Sequence, residues 1–412
     1  MKYLFTAPRF HTNQVPIVKG LVEKGHEVRY FVVFIGATED HSVCEPLVLK
    51  PSHTTKLEKK KLAKTKSDSE IESAISGHFI PDFMFLRQVF EEYMPDIVIC
   101  REKTSLTLCV KFLCDEHRIP CILYDQEPLY PLRSALGSNT VTPNKPALLS
   151  RLKTKMERTF NPDLRRVFKY RDSIGFPKAR MTPVLYRRMP RNLSEKKPTS
   201  MSSFVPFVAE RIQAAEDRVY CQNGIVHILS VGKYRDYKNL PILVEAGAML
   251  KKSCNFAWQM TIIGQVSNSD EEDYFRDMQQ RINNAGLKDK IRLKKNVSYE
   301  NMTEEYLQND LFILSSKKET ASISILEAMA HGLAVISTDY NGTASYIEEG
   351  ITGYTFATEN VTSLVEKIET SLSVGIESLG RKAKEIAIQK YTWKSVCELY
   401  SYEYWKQKLM LE

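Results

Sequence analysis

The chain has 412 residues, of which 43% are hydrophobic and 26% are charged, an ordinary balance for a globular protein. The longest apolar stretch, near residues 30–37, is far shorter than the roughly eighteen residues that a membrane-spanning helix needs. One hydrophobic core rarely organises a chain of this length, so we expect two domains. The apolar part of the amino terminus is too short for a signal peptide, and we therefore expect a cytoplasmic protein.

The eight cysteines form no C-x-x-C pair and have no histidine ladder beside them. We therefore expect reduced thiols rather than a disulfide framework. Cys109 and Cys114 could be imagined as metal ligands, but the apolar residues around them favour a helix that packs in the core. The sequence predicts no metal site.

Positive charge is concentrated in one block of the chain. Residues 151–200 hold 15 Lys and Arg against four Asp and Glu, so this block alone exceeds the net charge of +8 on the whole chain. A smaller lysine-rich cluster lies at residues 56–66. Such fields attract the phosphates of nucleic acids, anionic lipids or anionic substrates, although a solvated basic face has the same composition. A peripheral contact with the inner face of an anionic membrane stays open.

The first half of the chain alternates short apolar runs with amphipathic segments, which predicts alternating strands and helices. The predicted strands are Tyr3–Thr6, Glu27–Phe34, Asp96–Cys100 and Pro120–Tyr124. The predicted helices are Gln14–Lys24, a segment through Phe85, Val89 and Phe90, and Leu106–Glu116. Residues 49–69 look like an exposed lysine-rich excursion, and residues 190–206 have the composition of a linker. The domain boundary is placed there, between residues 1–205 and 206–385.

The second half repeats the same strand and helix alternation, which predicts a parallel sheet. Its predicted strands are Val226–Gly232, Trp258–Gly264, Ile291–Leu293 and Leu311–Leu314. Its predicted helices run through Leu240–Leu250, from Asp270 to Ala285, and from Ile323 to a stop at Gly332. Residues 386–412 are expected to form a terminal, aromatic-rich helix. Ligands of such sheets bind beyond the carboxyl ends of the strands.

Two glutamates, Glu319 and Glu327, flank the turn from strand Leu311–Leu314 into the next helix. Their spacing alone favours two ordinary acids near a helix start, where acids are common. Their surroundings, however, resemble the retaining GT-B glycosyltransferases of the group 1 type. In that family a Glu, seven residues and a second Glu form the donor-sugar signature. The segments that carry the resemblance are residues 21–28, 315–319, 326–339, 341–343 and 350–354.

The resemblance implies an α/β protein of GT-B architecture. Two Rossmann-like domains would face each other across a cleft, and the C-terminal helix would cross back to the first domain. The first domain would bind the acceptor and the second the nucleotide-sugar donor. The resemblance is strong over residues 226–357 and weak over residues 38–205.

Transfer from a nucleotide sugar expels a diphosphate, so catalysis needs fixed positive charge near that leaving group. Lys233 and Lys238 follow a strand-ending glycine at a spacing that lets both reach one anion site, where the family usually has Arg and then Lys. The resemblance implies that Glu327 accepts hydrogen bonds from the donor ribose and that Glu319 lies near the donor sugar hydroxyls. Further donor contacts are expected from Gly232, Gly264, Val297, Ser322, Ile323 and Ser324.

The acceptor half of the chain gives weaker signals. His11 follows the first strand and is a candidate contact to an acceptor or donor phosphate, although a turn or capping role fits as well. Asp125 follows a strand end where relatives carry a His or Asp, and it is a candidate acceptor base or oxocarbenium stabiliser. No residue stands out as a covalent nucleophile, and no Asp-x-Asp metal motif lies in a plausible loop. We therefore expect a reaction without a metal or other cofactor.

The resulting interpretation is a retaining glycosyltransferase that uses a UDP- or GDP-linked sugar. Its acceptor would be a glycan, a lipid-linked molecule or a phosphate-bearing molecule, as in the synthesis of cell-envelope polysaccharides or glycoconjugates. Two alternatives stay open. A nucleotide-sugar epimerase of the same architecture would need no acceptor. A non-catalytic binder of anionic polymers is weakened by the lack of a nucleic-acid recognition motif, so no specific nucleic-acid partner is expected.

Overall fold

A computed structural model provides the structure of the chain. It describes residues 1–36, 39–102, 104–125, 178–180, 202–209, 218–298, 300–317, 319 and 322–410. Most of the basic block at residues 151–200 lies outside the described residues.

The first sheet has seven parallel strands in the order β3-β2-β1-β4-β5-β6-β7. These strands are β1 Lys2–Ala7, β2 Glu27–Val32, β3 Leu47–Val48, β4 Ile97–Arg101, β5 Cys121–Asp125, β6 Lys178–Arg180 and β7 Ser202–Phe204. The helices of this part are α1 Val15–Glu23, α2 His53–Leu62, α3 Asp68–Ile75, α4 Phe83–Tyr93 and α5 Ser105–Glu116. The central strands are buried on both faces because helices cover the sheet, which is why they read as continuous apolar runs.

The second sheet has six parallel strands in the order β10-β9-β8-β11-β12-β13. They are β8 Ile225–Lys233, β9 Ala257–Gln265, β10 Ile291–Lys295, β11 Leu311–Leu314, β12 Ala334–Thr338 and β13 Gly353–Phe356. The helices are α6 Pro241–Ser253, α7 Ser269–Asn284, α8 Met302–Leu307, α9 Ser324–Ala330, α10 Val361–Val374 and α11 Ile376–Tyr391. Each predicted strand of this half is confirmed to within two residues at either end. The two parallel α/β sheets confirm the predicted pair of Rossmann-like domains.

The strand order reverses once in each sheet, and this position is called the switch point below. In the first sheet it lies between β1 and β4, and in the second between β8 and β11. The loops that leave the carboxyl ends of these strands diverge in opposite directions and leave a crevice between them. Ligands of doubly wound sheets bind in that crevice, so the two switch points locate the candidate site.

Three predicted segments differ from the structure. The predicted linker at residues 190–206 includes β7, which completes the first sheet, because a three-residue edge strand rich in serine has no apolar signature. The lysine-rich excursion at residues 49–69 is largely helical, and α2 and α3 are capped by Ser52 and Ser67. The terminal helix is divided into α12 Trp393–Val396, a 3-10 turn and α13 Tyr402–Met410. The exact domain boundaries at residues 205 and 385 stay predictions.

The C-terminal segment crosses back to the first domain, as predicted. Trp393 packs against α1 at Gly20, where an added Cβ would lie 2.2 Å from two atoms of the indole ring. Lys24 donates a hydrogen bond to Cys397 Sγ at 3.1 Å, and the rings of Tyr124 and Tyr400 lie 6.4 Å apart. One buried apolar cluster therefore includes residues of both sheets and of this segment, so the two domains share part of their core.

All eight cysteines lie in the described part of the chain, and each is a free thiol. Within the described residues, no helix is both long and apolar enough to cross a bilayer.

Candidate active site between the two switch points

Lys238 is a buried cation at the second switch point. It ends a 3-10 turn, Asp236–Lys238, that follows β8, and 7% of the residue is exposed. Its Nζ lies 2.7 Å from both Oε1 and Oε2 of Glu319. The side chains of Lys238 and Glu319 are 8% and 15% exposed, so this ion pair is shielded from water. A shielded pair of this kind is held firmly because each charge depends on the other.

The predicted site residue Gly232 provides the space that Lys238 occupies. A Cβ at position 232 would lie 3.1 Å from Cδ and 3.2 Å from Cε of Lys238. Gly264 stands opposite Gly232 in the register of β8 and β9. A Cβ there would lie 2.4 Å from the ring of Tyr234, whose hydroxyl donates to the Ile262 and Lys294 carbonyls. Both glycines are therefore explained by close packing at the strand ends.

Glu319 is fixed by the loops on both sides of it. Ser316 Oγ donates to Glu319 Oε2 at 2.7 Å. The Gly342 amide donates to the Glu319 carbonyl at 3.2 Å, and Glu319 forms an isolated parallel bridge with Asn341. Asn341 Oδ1 in turn accepts from Thr343 Oγ1 at 2.9 Å. These contacts explain why residues 341–343 accompany the glutamate in the sequence.

Glu327, the second glutamate, lies on α9 and is half-buried. The Tyr306 hydroxyl donates to Glu327 Oε2 at 2.8 Å. Tyr306 is 2% exposed, and the His331 ring stacks on it with centroids 4.9 Å apart. His331 Nδ1 also lies 2.6 Å from the Glu327 carbonyl. A rigid aromatic support therefore orients the carboxylate. No motif in the sequence points to Tyr306 as part of the site.

Lys233 is the last residue of β8 and is exposed. Partial desolvation is the main cause that lowers the pKa of its ammonium. The nearby positive charges of Arg235, Arg9 and Lys238 lower this pKa further. Arg9 belongs to the first domain, so its influence on Lys233 means that the two domains bring positive charge together across the cleft. The prediction that Lys233 and Lys238 reach one anion site stays a prediction.

The remaining predicted donor contacts are Ser322, Ile323, Ser324 and Val297. Ser322 Oγ lies 2.7 Å from Ser324 Oγ, and the Ser322 amide donates to Thr343 Oγ1 at 3.2 Å. Ile323 is the residue before α9. Val297 follows β10 and packs against the core cluster that the two domains share. The donor-binding roles of all four residues stay predictions, and the Ser322 amide already has a protein partner.

His11 lies at the first switch point, in the loop after β1. Burial lowers the pKa of its imidazole to about 3, with further lowering by Arg101 and Arg9. The ring is therefore neutral near pH 7 and sits beside two guanidinium groups. Asp125 is the last residue of β5 and pairs in register with Arg180 of β6. Its position at a strand end is as predicted, and its catalytic role stays a prediction.

Arg101 was missed by sequence reasoning. It ends β4, one strand from β1, and 7% of the residue is exposed. Its Nη1 donates to Asn13 Oδ1 in the loop that also carries His11. A single arginine after an apolar strand has no motif, and its position beside His11 arises only when β1 and β4 pair. Arg9 was missed because a single arginine in the loop after β1 matches no motif.

Within the described residues, no group of three or more His, Cys, Asp or Glu side chains has an arrangement that could hold a metal ion.

The two facing switch points, joined by a C-terminal segment that crosses back, define a GT-B fold. Solved structures agree with it over the whole chain. A glycosyltransferase from Rickettsia africae has a TM-score of 0.67 at 16% identity, covering 99% of this chain and 98% of that one. The Anabaena protein HepE in complex with UDP-glucose has a TM-score of 0.65 at 13% identity, covering 100% of both chains. At these identities the likeness concerns the fold.

Residues 223–390 match the family model described as glycosyl transferases group 1. This match lies in the second half of the chain and confirms the resemblance drawn from the sequence. Among similar curated proteins, the mannosylfructose-phosphate synthase of Agrobacterium fabrum is 25% identical over 124 residues, which are 30% of this chain and 27% of that protein. The matched segments span between 19% and 30% of the first relatives' own lengths.

Proposed function

We propose that the protein is a retaining glycosyltransferase that moves a sugar from a UDP- or GDP-linked donor to a glycan, lipid-linked or phosphate-bearing acceptor. The observation that carries this proposal is the shielded pair of Lys238 and Glu319 at the second switch point. Lys233, the last residue of β8, lies within the electrostatic reach of Lys238. A diphosphate leaving group needs such a concentration of positive charge.

Lys238 is the central electrostatic group of the proposed reaction. In the structure its charge is matched by Glu319, so a donor diphosphate entering the site would share or replace that carboxylate. Lys238 then stabilises the charge that develops on the leaving phosphate, and Glu319 becomes available to the sugar hydroxyls. Glu327, held by Tyr306, accepts hydrogen bonds from the ribose.

The proposed transfer retains the configuration of the sugar and proceeds on one face. The bond between the anomeric carbon and the phosphate oxygen breaks, and the acceptor oxygen bonds to the same carbon from the same side. The acceptor proton passes to the departing phosphate oxygen, so no covalent enzyme intermediate is needed. The cations are protein side chains, and we propose that no metal ion takes part.

UDP is favoured as the nucleotide by the neighbour HepE, whose structure contains UDP-glucose. A phosphate-bearing acceptor is consistent with the name of the Agrobacterium relative, a synthase of mannosylfructose phosphate.

The basic block at residues 151–200 motivates an anionic or membrane-bound acceptor in envelope glycan synthesis. Charge reversal at Arg165, Arg166, Arg187 and Arg188 should weaken binding to anionic vesicles. Unchanged vesicle and acceptor affinity would remove the membrane part of the proposal.

A thermal-shift panel tests the donor part of the proposal. UDP, GDP, ADP and an oligonucleotide are compared at equal concentration, and one nucleoside diphosphate should raise the melting temperature by mass action. Glu327→Ala should lose that shift, whereas Glu369→Ala, an exposed helical glutamate of the same domain, should keep it. Stabilisation by the oligonucleotide alone would favour the polymer binder. A separate incubation with a UDP-sugar and no acceptor tests the epimerase alternative. Conversion of that sugar into its epimer would favour the epimerase.

A further inference from the structure

Arg101 is a buried cation whose local charge compensation is weak. The residue is 7% exposed, and its side chain is 8% exposed. Among the described residues, its nearest carboxylate oxygen is Glu102 Oε1, which lies 3.6 Å from Nε, and the Glu102 side chain is 53% exposed. The buried Nε has no hydrogen-bond partner in this part of the chain. Taking a guanidinium out of water without a close counter-charge costs several kcal/mol, so this arrangement needs an explanation.

The backbone beside Arg101 is also held in an uncommon conformation. Glu102 has a φ of 66°, in the left-handed region that few residues other than glycine adopt. Thr107 Oγ1 donates to the Glu102 carbonyl at 2.6 Å and stabilises the turn. Such local strain is concentrated where a side chain must be held in a functional position. Here the residue with the strained backbone, Glu102, directly follows Arg101 and turns the chain at the end of β4.

Two further groups with nitrogen donors share this position. Arg9, which is exposed, and Arg101 both act electrostatically on His11. Arg101 Nη1 also holds Asn13, which fixes the loop that carries Arg9 and His11. Glu102 is the acidic neighbour of Arg101. The carboxylate of Glu72 on α3 lies within the electrostatic reach of Arg9. Two guanidiniums and an imidazole therefore converge at the carboxyl edge of the first sheet.

We propose that Arg101, Arg9 and His11 form an anion subsite of the first domain that binds a phosphate group of the acceptor. This inference rests on the proposed function and names the substrate class on the acceptor side. The donor diphosphate already has Lys238 and Lys233 in the second domain. A phosphate bound in the first domain balances the positive charge of Arg101 and accepts a hydrogen bond from its Nε. It also accepts a hydrogen bond from the neutral His11 ring. Acceptors without an anionic group would leave Arg101 as the structure has it.

Calorimetric titration of inorganic phosphate into the full-length, UDP-saturated protein tests the subsite. Saturation with UDP occupies the donor cations, so the remaining phosphate binding reports the first domain. Arg101→Gln and Arg9→Ala should each weaken phosphate binding by about tenfold, the loss expected for a hydrogen bond between charged groups. UDP affinity should stay within about twofold of the original protein. Arg29→Ala is the matched control, because Arg29 is a partly exposed arginine on the same sheet, stacked on Tyr93 with 4.5 Å between its Cζ and the ring centroid.

Three results would overturn the subsite. Phosphate fails to bind the UDP-saturated protein, or Arg29→Ala weakens its binding as much as Arg9→Ala does. Alternatively, Arg101→Gln and Arg9→Ala weaken UDP and phosphate equally, which assigns both arginines to the donor. Arg9 is exposed, so its variant decides the question even if Arg101→Gln does not fold. If UDP does not bind and phosphate still binds through Arg101 and Arg9, the donor proposal fails and the anion subsite stands.

Discussion

The two switch points are built alike and charged differently. Each has a cation near the carboxyl end of a strand, and each of these cations is 7% exposed. Arg101 is the last residue of β4, and Lys238 lies in the 3-10 turn after β8. Lys238 has both carboxylate oxygens of Glu319 at 2.7 Å, whereas the carboxylate that the described residues bring nearest to Arg101 is that of the exposed Glu102, with one oxygen at 3.6 Å. The two cations are equally buried, but their positive charges are balanced to different degrees by nearby carboxylates. We therefore expect the two sites to bind an incoming anion differently.

The second switch point is neutralised before a ligand arrives. A donor diphosphate must compete with Glu319 for Lys238, so part of its binding energy is used to separate an existing pair. At the first switch point, no described residue offers such a competitor within hydrogen-bond distance of Arg101 Nε. An anion there adds a counter-charge where little exists, so its binding stabilises the folded protein directly. The four predictions that follow test this difference, from the largest expected effect to the smallest.

Lys238→Met should reduce the free energy of unfolding by about 3 kcal/mol, because it leaves the shielded Glu319 carboxylate without its cation. The double variant Lys238→Met with Glu319→Gln removes both charges and should recover most of that loss. Urea denaturation of the two single variants and the double variant measures the coupling. Additive losses would show that the pair does not act as a unit.

The same variants separate stability from chemistry. Nucleotide release from the sugar donor should fall by on the order of a hundredfold in Lys238→Met, and the double variant should not regain it, because the leaving phosphate still lacks its cation. Lys251→Ala, an exposed lysine on α6 that contacts the Gly286 carbonyl, is the control and should release nucleotide normally. Full release in the double variant would place the leaving-group site elsewhere.

The second prediction uses the low pKa of His11, about 3 against an ordinary value of 6.5. Between these values the unfolded chain takes up a proton on His11 that the folded chain does not. Stability contributed by the neutral ring is therefore present above pH 6.5 and is lost as the pH falls toward 3. Relative to His11→Asn, the original protein should lose up to about 1.4 kcal/mol per pH unit across this window.

Chemical denaturation of both proteins at several pH values measures this difference in slope. Saturating phosphate should flatten it, because an anion beside Arg101 and Arg9 favours the protonated ring and raises the pKa of His11. Equal slopes for the original protein and His11→Asn would mean that His11 is not held neutral at the first switch point.

Arg101→Met is the third prediction and the direct counterpart of Lys238→Met. It should change the free energy of unfolding by less than about 1 kcal/mol, because removing a weakly compensated buried charge also removes its desolvation cost. The hydrogen bond to Asn13 is lost and limits any gain. Denaturation of Arg101→Met beside Lys238→Met makes the comparison. A loss as large as that of Lys238→Met would show that Arg101 is a structural residue with its compensation already complete.

The sequence predicted the second switch point better than the first, for physical reasons. Strand Leu311–Leu314 is a continuous apolar run with polar residues at both ends, so its bounds follow from burial alone. Glu319, Lys238 and Gly232 lie in loops next to such strands, and the family resemblance gives them roles. Their ion pair, however, joins residues 81 positions apart and is visible only in the folded chain.

At the first switch point the determining feature is the pairing of β1 with β4. That pairing places the loop after Ala7 beside Arg101, although more than ninety residues separate them in the chain. No local pattern distinguishes Arg101 from an ordinary arginine at a strand end, and its burial depends on the helices that cover the sheet. Likewise β7 is formed by residues of linker composition, because its pairing with β6 rather than its apolar content makes it a strand.

The fourth prediction is the smallest and affects one switch point alone. Gly232→Ala places a Cβ 3.1 Å from Cδ of Lys238, so the flexible lysine must shift by a few tenths of an ångström. A shift of this size should weaken UDP binding by about fivefold, below the usual range for overpacking in a rigid core. Gly77→Ala is the control, because a Cβ there meets no atom within 4 Å. Phosphate binding at Arg101 should be the same in both variants, since the three atoms nearest to a Cβ at position 232 all belong to Lys238. If Gly232→Ala weakened the binding of phosphate and of UDP together, the two anion sites would be one continuous site. The difference in charge balance between the switch points would then hold only for the protein without ligands.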